Sequence, residues 1–231
     1  MQLTFEHAEF LKTPYPIGVA RPVLDWESYK GLVEAFPPDH LLAGVSLDGV
    51  PDVHAYKKFA LNERTQPEKF YEYLSTQPLW WAFHTSIKKP EFPLFILGLL
   101  KAQGIDIPPA PKWSTRFEFS GIPADGGYIL PHLDTAKKVC TLIFSMARPG
   151  EWNPAFGGGT DVLEPLDPTE PLLSYRAPLE KFRKVHTYAY VPNQCVLFVK
   201  CATSWHSVGP LLGAGSPLMR RTITLNIERE S

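Results

Sequence analysis

A histidine and an aspartate stand two residues apart in His132-Leu133-Asp134, and another histidine occurs later, in Trp205-His206-Ser207-Val208. Side chains at positions i and i+2 of a strand project to the same side, so an imidazole and a carboxylate can converge on one ion. The pair alone is a weak signal, because a chain with seven histidines has roughly a one-in-three chance of containing some His-x-Asp. Without further context, a surface pair that binds no metal is the default interpretation.

The surrounding sequence strengthens the metal interpretation. Gly126-Gly127-Tyr128-Ile129-Leu130-Pro131 reads as a turn followed by a short strand that ends on the pair. A third ligand must come from a late strand, and His206 is well placed for this role. Two histidines and one carboxylate leave three positions open on the metal, which suits non-haem Fe(II) better than a closed zinc site. The three cysteines show no Cys-x-x-Cys spacing that would support zinc.

Open metal positions require a cosubstrate, and a late strand offers a way to hold a dicarboxylate. In strand geometry, residues of alternating position share a face, which separates Arg220, Thr222, Thr224 and Asn226 from Arg221, Ile223, Leu225 and Ile227. A guanidinium on a polar interior face binds a carboxylate bidentately, and a neighbouring threonine adds a hydroxyl donor. This alternation places Arg220 on the polar face and Arg221 on the apolar face, so Arg220 is favoured as the residue that binds the carboxylate.

Helices are predicted for most of the first half of the chain. Asp25 is a plausible N-cap of a helix that Pro37-Pro38 ends. Thr65-Gln66-Pro67-Glu68 resembles a capping box with proline just inside the next helix. Two more helices are predicted over residues 78–88 and about 91–103, the latter stopped by Gly104.

The second half changes to short segments rich in β-branched and aromatic residues and bounded by glycine, proline or asparagine. Strands are predicted over residues 113–120, 128–133, 139–146, 184–191, 195–200 and 218–227. Several short strands separated by turns indicate a β-sandwich or jelly roll, with the helices covering one sheet face. We expect a single domain over residues 1–231, with a mostly helical support region at 1–112 and a β core at 113–231.

Taken together, these signals resemble the Fe(II)/2-oxoglutarate-dependent oxygenases, and most closely the prolyl-hydroxylase-type branch. That branch has a His-x-Asp, a hydrophobic strand, a tryptophan, a Gly-Gly turn, a distal histidine and then a basic residue on a Ser/Thr-Ile/Leu-Thr strand. The matching features here run in the same order from about residue 117 to residue 227, and they are His132-Leu133-Asp134, the strand ending at Met146, Trp152, Gly157-Gly158-Gly159-Thr160, Leu163, His206 and Arg220.

The resemblance implies a double-stranded β-helix with Fe(II) on His132, Asp134 and His206, and with 2-oxoglutarate and O2 as cosubstrates. Arg220 would hold the distal carboxylate of 2-oxoglutarate, with Thr224 as its companion. Ser145 stands where some relatives place a tyrosine on that carboxylate. The implied reaction releases succinate and CO2, and the carboxylate of Asp134 favours hydroxylation or another oxidation over halogenation, since related halogenases lack it.

Two other functions stay open at this stage. One is a jelly-roll binding module that keeps the site residues without turnover, and the other is a cupin-like metalloenzyme. Cupins usually cluster more histidines, so His-x-Asp with a late arginine strand fits them poorly. Arg116 and Tyr128 are either pocket contacts or ordinary strand residues, whereas His84, His186 and the Trp80-Trp81 pair are expected to serve packing. The proline-rich stretch between Leu163 and Phe182 is either a lid or a long connection.

The composition and net charge argue against two classes of binding partner. The net charge is -1 and no basic block stands out, which argues against nucleic acid or an anionic membrane, because both need a clustered cationic surface. The first seven residues lack the layout of a signal peptide, and the longest apolar stretch, 92–100, is too short to span a bilayer. Three cysteines, Cys140, Cys195 and Cys201, suit reduced thiols. We therefore expect a cytoplasmic protein with a small-molecule or peptide substrate; its oligomeric state is not predicted.

Overall fold

The described residues of the chain fold into two antiparallel sheets and four α-helices. The structure is a computed structural model that describes residues 3–44, 57–107, 109–167, 169 and 176–230. The predicted lid or connection between Leu163 and Phe182 includes residues 168 and 170–175, which lie outside the described residues. The helices are α1 (Trp26–Glu34), α2 (Pro67–Ser75), α3 (Pro78–Lys88) and α4 (Glu91–Ala102).

Twelve strands form the sheets within the described part of the chain. In order they are β1 (Glu9–Leu11), β2 (Ile17–Ala20), β3 (Ala43–Gly44), β4 (Phe59–Asn62), β5 (Lys112–Pro123), β6 (Ile129–His132), β7 (Lys138–Ser145), β8 (Thr160–Pro165), β9 (Phe182–Tyr188), β10 (Cys195–Val199), β11 (His206–Val208) and β12 (Met219–Glu230). The large sheet has the order β1-β2-β10-β7-β12-β5-β4-β3, and the small sheet has the order β6-β11-β8-β9. The six predicted strands are all present, with shifted ends.

The large sheet has one apolar face, and the helices cover it. Phe117 and Phe119 of β5 are fully buried and meet Trp80 of α3, with ring centroids 4.7 Å apart between Trp80 and Phe119. The alternate residues of β12, Ile223 and Leu225, belong to the same core. Since side chains alternate along a strand, the remaining residues of β5 and β12 must face the opposite side. There they look toward the small sheet.

Two smaller apolar clusters join the two sheets. Val196 and Phe198 of β10 pack with Val162 of β8 in one cluster. Ile122 of β5 packs with Val208 of β11 in the other. These contacts hold the interior faces of the sheets together, so the polar residues on those faces are enclosed between them.

Most of the predicted helix signals are confirmed, and one is wrong. Asp25 caps α1 by accepting a hydrogen bond from the Ser28 amide at 2.8 Å, and Gly104 follows α4 with a φ of +69°. The predicted capping box at residues 65–68 does not form, because Pro67 occupies the first helical position and makes Gln66 the N-cap. Its side chain makes no capping hydrogen bond. No helix among the described residues is both long enough and apolar enough to cross a membrane.

A buried asparagine ties the start of α1 to the large sheet. Asn193, in the turn before β10, is fully buried and has a φ of +57°. Its Oδ1 accepts hydrogen bonds from the amides of Val23 (3.2 Å) and Leu24 (3.0 Å), and its Nδ2 donates to the Leu24 carbonyl at 2.8 Å. One side chain therefore satisfies the backbone of the segment that leads into the helix.

Replacing Asn193 with alanine should lower the free energy of unfolding by about 3 kcal/mol, because buried backbone groups of Leu24 lose their partners and the left-handed backbone becomes strained. Asn193→Gly removes the same hydrogen bonds, but glycine adopts the left-handed backbone conformation without strain. The glycine variant should therefore be about 1 kcal/mol more stable than the alanine variant. Denaturant unfolding of the three proteins measures both differences. An alanine variant as stable as the wild type would contradict this role.

Candidate metal centre

His132 and His206 face each other because their strands pair. β6 and β11 are antiparallel neighbours, and His206 lies directly opposite His132 in the register. Their ring centroids are 4.2 Å apart. Asp134 follows two residues after His132, while Leu133 between them packs into an apolar cluster with Leu163 and Trp205. The alternation of the strand thus continues past its end, and His132 and Asp134 project to the same side.

Backbone carbonyls fix the orientation of both imidazoles. Nδ1 of His132 lies 2.9 Å from the Leu130 carbonyl oxygen, and Nδ1 of His206 lies 2.9 Å from that of Ser204. A carbonyl only accepts, so each Nδ1 carries the proton and each Nε2 offers a lone pair. Burial lowers the pKa of both histidines, and for His132 the neighbouring His206 lowers it further. The neutral form that binds metal is therefore favoured.

Asp134 is buried as an anion. Its Oδ1 accepts a hydrogen bond from Nζ of Lys138 at 2.5 Å, and its Oδ2 accepts one from the Thr141 hydroxyl at 2.6 Å. Burial alone would raise the pKa of Asp134, but Lys138 and the two imidazoles outweigh it and lower the pKa well below its usual range. Thr141 also lies 3.1 Å from the side-chain amide of Asn226 on β12. The carboxylate is thus held from the interior face of the large sheet.

The three side chains fit a metal ion with open positions. One potential ligand atom from each of His132, Asp134 and His206 lies within 4.8 Å of the other two. The donor set is two neutral imidazole nitrogens and one carboxylate oxygen, with no thiolate in the group. This set matches the facial arrangement that non-haem Fe(II) prefers, and it provides no fourth protein ligand for a closed zinc site.

Arg220 lies on the interior face of the large sheet, as its strand phase predicts. The residue is 4% exposed, and its guanidinium stacks on the ring of Tyr190, 4.9 Å from the centroid. Its Nε donates to the carbonyl oxygen of Gly158, while the described residues give Nη1 and Nη2 no hydrogen bond. Burial lowers the pKa of Arg220 to about 10, so the side chain stays charged at neutral pH. A buried cation with its fork unpaired is a ready site for a carboxylate.

The glycine turn before β8 makes room for this arginine. Gly158 has a φ of +88°, and a Cβ there would lie 3.2 Å from Cδ of Arg220 and from the ring of Trp152. A Cβ on Gly159 would lie 2.7 Å from the backbone oxygen of Tyr188. The three-glycine run therefore allows the chain to cross closely over the guanidinium.

The other predicted cosubstrate residues lie in different places. Ser145 is buried and lies opposite Thr222 in the register of β7 and β12. Thr224 lies two residues after Thr222 on β12, on the same face as Arg220. Tyr128 lines a cavity of about 210 Å³ that also includes Ser207, which alternates with His206 along β11. Arg221 points to the helix side and donates to Asp39 at 3.1 Å.

Sequence reasoning missed three residues that support the site, Lys138, Thr141 and Tyr190, and it gave Asn226 no role there. The alternation of β12 placed Asn226 on the interior face, and the same alternation along β7 would have placed Thr141 there. Lys138 stands four residues after Asp134, but this spacing has no meaning outside a helix. Tyr190 gave no signal, since only the packing around Arg220 explains its position.

Comparisons with known proteins identify the fold. No protein-family model matches the sequence, and no curated protein matches it significantly. Among solved structures, a prolyl-4-hydroxylase from Pseudomonas putida is similar, with a TM-score of 0.53 and 13% identity over 93% of this chain and 92% of that one. A prolyl hydroxylase from Trichoplax adhaerens, solved with a peptide of hypoxia inducible factor, has a TM-score of 0.55 and 13% identity over 92% of this chain and 83% of its own.

A third similar structure is that of an epimerase. The non-haem α-ketoglutarate-dependent epimerase SnoN, from nogalamycin biosynthesis, has a TM-score of 0.53 and 14% identity, covering 92% of this chain and 76% of that one. At identities this low, the likeness shows a shared fold. The chain therefore shares the fold of the two prolyl hydroxylases and the epimerase, and at the level of the fold the resemblance that the sequence indicates is confirmed.

Replacing Thr141 with valine should weaken metal binding about 10- to 100-fold, because Asp134 loses the hydrogen bond that orients its carboxylate. Thr141→Ser keeps the hydroxyl and should bind metal within a few fold of the wild type. Titration with Co(II), followed by its visible absorption, measures the affinities. Equal affinities for the valine and serine variants would show that Thr141 does not orient the ligand.

Proposed function

We propose that this protein is a non-haem Fe(II)- and 2-oxoglutarate-dependent dioxygenase that hydroxylates a C–H bond of an amino-acid, peptide or other small-molecule substrate. The observation that carries the proposal is the convergence of two histidines and an aspartate, whose ligand atoms lie within 4.8 Å of one another. It is supported by Arg220, which is buried on the interior face of the large sheet and whose Nη1 and Nη2 make no hydrogen bond to the described residues. In the proposed arrangement, residues 113–231 form a double-stranded β-helix core within one domain.

His132, Asp134 and His206 are the proposed metal ligands. The two imidazoles would bind through Nε2, because their Nδ1 atoms already donate to carbonyls. Both oxygens of Asp134 accept a hydrogen bond, Oδ1 from Lys138 and Oδ2 from Thr141. Each oxygen has a further lone pair, so the carboxylate would remain able to bind an ion. Lys138 and Thr141 keep it ionised and in place.

Arg220 is the proposed anchor of the distal carboxylate of 2-oxoglutarate. Gly158 and Tyr190 hold the guanidinium in one orientation, which leaves Nη1 and Nη2 aimed at a ligand. Thr224 lies on the same face of β12 toward the metal ligands, where its hydroxyl can add a hydrogen bond. Ser145 would leave room at the wall of this pocket, and a contact from Tyr128 remains a prediction.

When bound, iron supplies the oxidising chemistry, in which O2 and 2-oxoglutarate are consumed to succinate and CO2 while a substrate C–H bond is oxidised. The chain's own contribution is geometry. Asp134 occupies the carboxylate position and so favours oxygen transfer over halogenation. The apolar contacts between the sheets, such as Phe198 against the His206 ring at 4.4 Å, exclude water from the back of the ligands.

Anaerobic addition of Fe(II) and 2-oxoglutarate should produce a visible charge-transfer absorption, because the keto acid chelates the ferrous ion. His206→Ala should abolish this band, since only His132 and Asp134 remain. Absence of the band in the wild type, or its persistence in the variant, would refute the assignment. A band with no succinate under air, across a broad substrate panel, would instead indicate a binding module without turnover.

Arg220→Gln should weaken 2-oxoglutarate binding by about 3 kcal/mol, roughly 100-fold, because two charge-assisted hydrogen bonds are lost. Arg221→Gln is the matched control, since Arg221 lies on the helix side and contacts Asp39. Titrating 2-oxoglutarate into the Fe(II) protein under argon gives both affinities from the same band. Equal or greater damage from the Arg221 variant would reverse the choice of anchor.

A further inference from the structure

A row of paired side chains crosses the interior face of the large sheet from the metal ligands to a second arginine. Thr141, which holds Asp134, lies opposite Asn226 in the register, and Asn226 in turn lies opposite Arg116 on β5. Neighbouring strands are about 4.8 Å apart, so Arg116 starts roughly 10 Å from Thr141 across the sheet. Phe117 and Phe119, its sequence neighbours on the other face, are buried among the helices. Arg116 therefore faces the same interior as the metal ligands.

The guanidinium of Arg116 is only partly used. Its Nε donates to Oε1 of Glu228 at 3.0 Å, and its Nη1 lies 4.0 Å from Oε2 of Glu118, too far for a hydrogen bond. Within the described ranges, Nη1 and Nη2 make no hydrogen bond, although 84% of the side chain is shielded, since 16% is exposed. The Nε contact fixes the plane of the group, and the two remaining nitrogens stay free to bind a ligand.

The nearby carboxylates already have partners. Glu118 accepts from Lys58 at 2.6 Å and from Asn62 at 2.7 Å, and Glu228 is shared by Arg116 and Arg64. Burial would raise the pKa of Glu118, but Lys58 and Arg116 lower it to about 2, so it stays an anion. Three cations, Lys58, Arg64 and Arg116, thus face two anions. The cluster carries one net positive charge and favours an anionic ligand.

We propose that Arg116 binds a carboxylate of the substrate and so positions the substrate's reacting carbon beside the metal ligands. This inference rests on the proposed function and names its substrate class. The open Nη1 and Nη2 edge matches a carboxylate bidentately. The reacting C–H bond lies within roughly 10 Å of that carboxylate, the span of two strand spacings. The carboxylate belongs either to a free acid or to an aspartate or glutamate side chain of a peptide.

Binding to the Zn(II)- and 2-oxoglutarate-loaded protein, which does not turn over, tests this directly. The probes are N-acetyl L-amino acids against their C-terminal amides, and capped pentapeptides with a central Asp or Glu against the same peptides with Asn or Gln. Calorimetry should find at least one carboxylate probe that binds about ten-fold or more tightly than its amide. Preference for an N-acetyl amino acid would indicate a free-acid substrate, and preference for a peptide with a central Asp or Glu would indicate a peptide substrate. Equal binding of acids and amides, or no binding by any carboxylate probe, would overturn the proposal.

Variants separate Arg116 from its neighbours. Arg116→Gln should reduce carboxylate binding to the level of the amide, whereas Arg64→Gln should stay within about two-fold, since Arg64 shares Glu228 but is 56% exposed. The double variant Arg116→Gln/Glu228→Gln also removes the buried carboxylate that loses Arg116 as a partner, which guards against misfolding. Both Arg116 variants should retain the anaerobic Fe(II)/2-oxoglutarate band. A retained band with unchanged carboxylate affinity overturns this inference alone, whereas a wild type without the band overturns the proposed function.

Discussion

The antiparallel pairing of β6 with β11 is the constraint on which the candidate site depends. It sets His132 opposite His206, and Asp134 joins them because the strand alternation continues past the end of β6. A shift of one residue in this pairing would turn the histidines to opposite faces of the small sheet. The apolar clusters that join the two sheets hold the pairing in place, so His132, Asp134 and His206 are positioned by the whole two-sheet core.

A second consequence follows from the division of the large sheet into two faces. The helices cover Phe117, Phe119, Ile223 and Leu225, so the alternate residues of the same strands are enclosed between the sheets. Most of those alternate positions hold polar and charged side chains, which would be costly there without partners. The Thr141 hydroxyl, for example, donates to Asp134 and lies 3.1 Å from the side-chain amide of Asn226. Arg220 and Arg116 keep unpaired nitrogens, and we interpret both as places for ligand carboxylates.

The sequence predicts much of this arrangement, and its failures have physical reasons. The shared side of His132 and Asp134 and the inward phase of Arg220 follow from strand alternation, which is local. The position of His206 beside them depends on the pairing of β6 with β11, which is not. The contacts of Lys138 and Thr141 with Asp134 depend on how β7 lies against the end of β6, which no local pattern reveals. Strands as short as Ala43–Gly44 have too few residues to show alternation. The capping box failed because Pro67 takes the first helical position and displaces Thr65 from the cap.

The most direct test of the account is anomalous diffraction at the iron edge from crystals grown anaerobically with Fe(II) and 2-oxoglutarate. We expect one strong peak, coordinated by Nε2 of His132, Nε2 of His206 and a carboxylate oxygen of Asp134. Density for 2-oxoglutarate should extend from that peak to the guanidinium of Arg220. Iron bound at other residues, or 2-oxoglutarate bound away from Arg220, would contradict it.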